Sequence, residues 1–83
     1  MDEEKVTFSN GSIIVYKGKT RHSEVCPAFV SPWSIGFYLE GYLHTPEEWA
    51  QKTNTTAEEL QLILKKYEKY QREILIEYKL RKM

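Results

Sequence analysis

The side chains best suited to chemistry in this 83-residue chain are one thiol, Cys26, and two imidazoles, His22 and His44. His22-x3-Cys26 has the spacing of half a zinc site, but a closed site takes four ligands and no second pair follows. Cys26 with His22 as its base would make a nucleophile, yet no third residue orients the base and no oxyanion loop is evident. Four glycines leave little room for a phosphate-cradling loop. The expectation is a protein that is not an enzyme and uses no cofactor and no metal. The histidines then serve as hydrogen-bonding turn residues and Cys26 as a small buried hydrophobe.

Binding chemistry is better represented. From Lys65 to the C-terminus seven basic residues (Lys65, Lys66, Lys69, Arg72, Lys79, Arg81, Lys82) face three acids (Glu68, Glu73, Glu77), although the whole chain is formally neutral. Lys65, Lys66, Lys69 and Arg72 can line one side of a helix with Tyr70 near them. That grouping suits single-stranded RNA, whose bases stack on an aromatic while its phosphates are neutralised. Ala50, Asn54 and Leu60 have the offsets of a helix-turn-helix. Its second helix would start Thr55-Thr56-Ala57-Glu58-Glu59-Leu60-Gln61, setting two carboxylates before a phosphate-lined groove, so a scaffolding role suits it better than DNA reading. Eleven aromatics exceed what so small a core hides. Trp33, Trp49, Phe29, Phe37, Tyr38 and Tyr42 supply the core, and those left outside are natural anchors for a protein partner. Tyr42, beside Gly41 at a hairpin corner, is the first candidate, followed by Trp33 and Tyr38. Ile74, Leu75 and Tyr78, on an apolar tail with Ile76 and Leu80, suggest a homodimer contact.

The elements that must position these groups follow from local pattern. Asn10-Gly11 between Val6, Phe8 and Ile13, Val15 predicts a hairpin closed by a type I′ turn. A second β-rich stretch runs from Phe29 to about Leu43, with Pro32 at an edge or turn and Gly41 at another corner. Thr45-Pro46-Glu47-Glu48 caps a short helix over roughly 46–53, and Thr56-Ala57-Glu58-Glu59 repeats the capping logic. Leu60, Ile63, Leu64, Tyr67, Ile74, Leu75 and Tyr78 then keep a helical spacing. Ile74 to Tyr78 is rich in strand formers, but with no turn signal before it the helix is expected to continue, supported by Glu68–Arg72 and Glu77–Arg81 pairs. The expected fold is α+β in a single domain. Residues 5–44 form a hairpin region with an antiparallel sheet of three or four strands, and residues 45–83 form a short helix and a long C-terminal helix. One cysteine allows no internal disulfide, the start Met1-Asp2-Glu3-Glu4 is unlike a signal peptide, and no run approaches a membrane span, so a cytoplasmic location is expected.

The hairpin region repeats. Tyr16 and His22 stand six residues apart, as do Tyr38 and His44, and the two pairs are offset by 22 residues. The glycines between them, Gly18 and Gly41, differ in offset, which suggests that one turn is a residue longer. Phe37-Tyr38-Leu39-Glu40-Gly41-Tyr42-Leu43-His44, and Arg21-His22 followed by Pro27-Ala28, resemble a short β-hairpin repeat of phage-encoded and bacterial proteins. That repeat reads roughly Trp-Tyr-x-Asn-Gly-x-x-His-Arg-x-Asp-Gly-Pro-Ala. Val25 and Cys26 stand where it prefers Asp-Gly. The resemblance spans about residues 12–44. It implies a hairpin for each unit and a small phage-type accessory protein that binds a host or defence component, in the host cytoplasm. RNA binding through the C-terminal helix is the alternative expectation, and a helix-turn-helix regulator the second.

Overall fold

Turn chemistry dictates where the chain doubles back, and six short strands result in the computed structural model, which describes residues 3–81. The elements are β1 (Glu4–Thr7), β2 (Ile13–Lys17), β3 (Thr20–Arg21), β4 (Phe29–Val30), β5 (Ile35–Leu39), β6 (Tyr42–His44), α1 (Pro46–Lys52) and α2 (Ala57–Arg81). Every pairing is antiparallel, in the order β1-β2-β4-β5-β6, with β3 also on β2. The α+β class and the order of sheet before helices are as expected. The strand number is larger than three or four because β3 and β4 are two residues each, too short to show a two-residue alternation. β1 fills one edge of β2 from Glu4↔Tyr16 to Thr7↔Ile13. β3 and β4 therefore share the other edge end to end, and residues 22–28 leave the sheet between them.

The first hairpin forms, but not through a type I′ turn. The Asn10 side chain accepts the Ser12 N–H at 2.9 Å, and only Gly11 takes a left-handed φ, +88°. The Gly11 N–H donates to the Phe8 carbonyl and the Phe8 N–H to the Ser12 carbonyl, the pattern of a three-residue loop with a glycine bulge. The I′ turn is instead at Glu40-Gly41, both with positive φ (+51° and +87°). Between β4 and β5, Ser31 holds the turn around Pro32: its hydroxyl accepts the Trp33 and Ser34 N–H groups. β6 forms the far edge of the sheet and ends at His44.

Both helices start with the predicted caps. The Thr45 hydroxyl accepts the Glu48 N–H at 3.2 Å, with Pro46 at the first helical position. Thr56 and Glu59 exchange backbone donors reciprocally, at 3.0 and 3.1 Å. These bonds, the Thr56 N–H foremost, hold the Glu59 carboxyl below its ordinary value. Asn54 takes the left-handed conformation (φ +56°) between the helices. α2 is unbroken for 25 residues, about 38 Å at ~1.5 Å per residue, so Ile74 to Tyr78 is helical. No helix among the described residues is long and apolar enough to cross a membrane.

Two apolar clusters fill the space between sheet and helices. Ile13, Val15, Ala28 and Val30 pack with Tyr67 and Tyr70 of α2. Phe37, Trp49, Ala50 and Leu60 pack with Ile63 and Leu64, with the Phe37 and Trp49 rings 4.7 Å apart. Polar bonds then fasten the C-terminal half of α2 to the turns. The Tyr70 hydroxyl donates to the Gly11 carbonyl (2.6 Å), the Gln71 amide to Ser31 (3.0 Å) and the Arg81 guanidinium to Ser9 (2.8 Å). Ile74, only 5% exposed, closes over Gly11. A Cβ built on Gly11 would lie 2.5 Å from the Ile74 Cγ2. Gly11→Ala therefore combines a steric clash with an unfavourable φ, and Ile74→Ala opens a cavity. Each is expected to lower stability, the first by ~1–3 kcal/mol and the second by ~2–5 kcal/mol, as read from urea denaturation midpoints.

Candidate functional site

The repeat seen in the sequence is a repeat of hairpin register. Tyr16 pairs with Arg21 and Lys17 with Thr20 in β2–β3. Tyr38 pairs with Leu43 and Leu39 with Tyr42 in β5–β6. The histidines follow suit: the His22 N–H donates to the Val15 carbonyl, while His44 pairs with Phe37. Both turns have two residues, so the glycine offset does not reflect an extra residue. It reflects which corner takes the positive φ, the first at Gly18-Lys19 and both at Glu40-Gly41.

The second hairpin is seated on the first. The Gly41 N–H donates to the Arg21 carbonyl (2.9 Å) and the Ser23 N–H to the Tyr38 carbonyl (3.1 Å). His22 Nδ1 accepts the Glu40 N–H at 2.9 Å. With that lone pair engaged, the neutral ring carries its proton on Nε2, a buried donor with no partner among the described residues. His44 is held the opposite way. The Lys52 ammonium donates to its Nε2 at 2.9 Å, so the proton lies on Nδ1 and goes to the Tyr42 carbonyl at 2.8 Å. The indole of Trp49 ties α1 to the same place by donating to the Ser23 carbonyl at 2.8 Å. Between α1 and the hairpins lies an open depression of about 360 Å³, lined by both histidines with Glu24, Leu39, Tyr42 and Lys52.

Glu3, His22 and Glu24 bring potential ligand atoms within 4.8 Å of one another. Their chemistry fits a loop brace better than a cation site. One Glu3 oxygen accepts the Ser23 hydroxyl and the other the Glu24 N–H, both at 2.9 Å. The only free nitrogen of His22 bears a proton in the tautomer that Glu40 requires. Cys26 does not join His22. Its thiol lies 3.3 Å from the Ser23 hydroxyl and beside the Tyr67 phenol, which burial first, and the Cys26 thiol second, push up to about 12.

The three aromatics proposed as partner anchors do not form one patch. Paired residues on neighbouring strands share a face and consecutive residues alternate. Tyr42 therefore lies with Leu39 on the helix-covered face, where it rims the depression at 75% exposure. Tyr38 shares its register position with Leu43 on the opposite face and is half-buried, touching the Ile13, Val15, Ala28 and Val30 cluster. Trp33, 63% exposed, is at the other end of β5 and meets Tyr78 edge-on at 5.0 Å. The outer face adds two residues that the sequence reading missed. The Arg21 guanidinium stands 5.3 Å from the Phe29 ring centre and 5.5 Å from that of Tyr38, with exposed Leu43 alongside. The internal repeat held a clue, since Arg21 occupies the position that pairs with Tyr16 as Leu43 does with Tyr38.

On α2, Lys65, Lys69 and Arg72 line a shallow hollow of about 570 Å³ with Glu68 and Gln71. Lys66 lies outside it, 5.5 Å from the Tyr67 ring centre. Tyr70 faces the sheet, its hydroxyl bonded to Gly11, and so does not stand beside the cations as expected. Of the proposed dimer residues, Ile74 is buried within the chain, Leu75 is half-buried and Tyr78 packs on Trp33. Ala50 and Leu60 are buried under Trp49, as the inward residues of a helix pair should be. Lys82 lies outside the described residues.

His22→Ala removes the acceptor of the Glu40 N–H. It is expected to cost ~1–3 kcal/mol of stability in urea denaturation, and ¹⁵N NMR of the wild-type ring should report the Nε2–H tautomer. For Tyr67 the folded value lies above the free phenol value of 10.0, so its stabilisation is complete below that pH and is lost as pH rises through about 12. Tyr67→Phe should delete that late step from the alkaline phenolate absorbance titration. No family model, no curated protein and no solved structure matches this chain.

Proposed function

We propose that this chain is a non-catalytic, phage-type accessory protein that binds a host or defence protein in the host cytoplasm and modulates or inhibits it. The contact surface is the outer face of the sheet. The observation that carries this reading is the Arg21 guanidinium within 5.5 Å of both the Phe29 and Tyr38 ring centres, with Leu43, the register partner of Tyr38, exposed on the face opposite Leu39 and Tyr42. Arginine and tyrosine are the side chains in which interface energy concentrates. Contact with two rings restrains the guanidinium before a partner arrives, so less side-chain freedom is lost on binding. Tyr42, at the rim of the depression on the opposite face, extends the contact around the β5–β6 edge.

The RNA reading loses its stacking partner, because the Tyr70 phenol is bonded to Gly11. The two readings separate in one experiment. The full chain is immobilised and exposed to host lysate with and without RNase. Leu43→Asp and Tyr38→Ala are compared with a Lys65→Glu/Lys69→Glu/Arg72→Glu triple variant. A captured protein is expected to survive RNase and to lose about thirty-fold in affinity with Leu43→Asp, the size of a hot-spot change. Capture that vanishes with RNase, or that the sheet-face substitutions leave untouched, overturns the proposal.

A further inference from the structure

Along the side of α2 that faces away from the sheet, residues 62, 65, 69, 72, 76 and 79 follow one another at alternating steps of three and four. Such steps stack side chains above one another, so the row runs parallel to the helix axis for about 26 Å. It reads Leu62, Lys65, Lys69, Arg72, Ile76, Lys79, with Leu80 beside Ile76, and contains no acid. All of these side chains are exposed. The aliphatic ones, Leu62, Ile76 and Leu80, stand 68, 59 and 60% open to solvent, although Ile63, Tyr67, Tyr70 and Ile74 already supply the inward face. Lys65, Lys69 and Arg72 form the middle of the row and border one hollow, which Glu68 and Gln71 flank, leaving three cations to one carboxylate.

We infer that this row is a docking strip for an amphipathic helix of a partner protein, acidic at its centre and apolar at both ends. Alternation of three and four averages the 3.5-residue period with which one helix presents itself to another. The three central cations are complementary to carboxylates at matching positions, while Leu62 at one end and Ile76 with Leu80 at the other give apolar anchors. Other occupants fit less well. A phosphate backbone makes no use of leucine and isoleucine, and the tyrosine that would stack a base is turned inward. An interfacial membrane helix needs its apolar residues in the middle of the buried face, where this row has its cations. A second copy of α2, laid antiparallel about its midpoint, would set cation against cation. The strip is separate from the sheet face and does not depend on the reading of that face.

The test uses the full chain and a labelled synthetic helix of about 21 residues, leucine-bearing at both ends and glutamate-bearing at its centre, in fluorescence anisotropy. Comparison probes are the same peptide with lysine in place of glutamate, a single-stranded oligouridine and phosphatidylglycerol vesicles. The acidic helix should bind at least about tenfold more tightly than each of the other three. Charge reversal at Lys65, Lys69 and Arg72 should weaken it at least about tenfold, and a Leu62→Ser/Ile76→Ser pair by about fivefold or more. All five positions are exposed, and circular dichroism verifies that the variants are folded. Tighter binding of the oligouridine or the vesicles, or indifference to the serine pair, overturns the inference.

Discussion

The absence of a side chain at Gly11 is what allows the C-terminal half of α2 to lie where it does. Ile74 sits over that glycine with no space for even one more carbon, and Tyr70 bonds to its carbonyl from one turn earlier on the helix. These two contacts fix both the distance of the helix from the sheet and its rotation about its own axis. Rotation decides which side chains α2 presents to solvent. Turning α2 by one residue, about 100°, would bring a different set of side chains to the surface and draw the lysines toward the core. The Gln71 and Arg81 bonds to turn carbonyls brace the same orientation from further along.

At the opposite end of the sheet, organisation comes from polar groups rather than from close packing. Two hairpins of one register meet through a histidine accepting a turn N–H, and α1 adds a lysine and an indole donor. The excursion between the two collinear strands is tied down at its Ser23 carbonyl by the indole and at its Ser23 N–H by the Tyr38 carbonyl, and aromatic side chains are displayed on both faces of β5–β6. The apolar clusters explain why the chain folds. The polar seam explains why the second hairpin holds one position relative to the first.

Legibility in the sequence followed the range of the interaction. Caps, turn glycines and the apolar period of α2 are local, and they placed both helices and the hairpins. The turn at Asn10-Gly11 was misread because the asparagine side chain competes for a backbone donor, an outcome that residue types alone leave open. Two-residue strands had no period to detect. For the site, Tyr42 was expected at the surface from its hairpin corner and is exposed there, whereas Trp33, counted with the core, is left outside because it follows Pro32 in the turn before β5. Tyr70 and Ile74 were expected at contacts outside the chain because their partner is a glycine some sixty residues earlier, with no side chain to signal it. Arg21 was overlooked since its two rings come from strands separated from it in sequence, and only the register brings them together.

The exposed apolar residues of β6 have a further consequence through the way that strand ends. Tyr42-Leu43-His44 borders the sheet, and such a border offers an open ladder to any passing strand, including the same strand of another molecule. Thr45 and Pro46 interrupt the ladder after three residues, as the proline has no N–H to offer and its ring directs the chain into α1. A rim kept this short can present Leu43 and Tyr42 to a partner's side chains while offering too little backbone for self-templated sheet growth. The proline that opens a helix thus also guards against amyloid-like stacking.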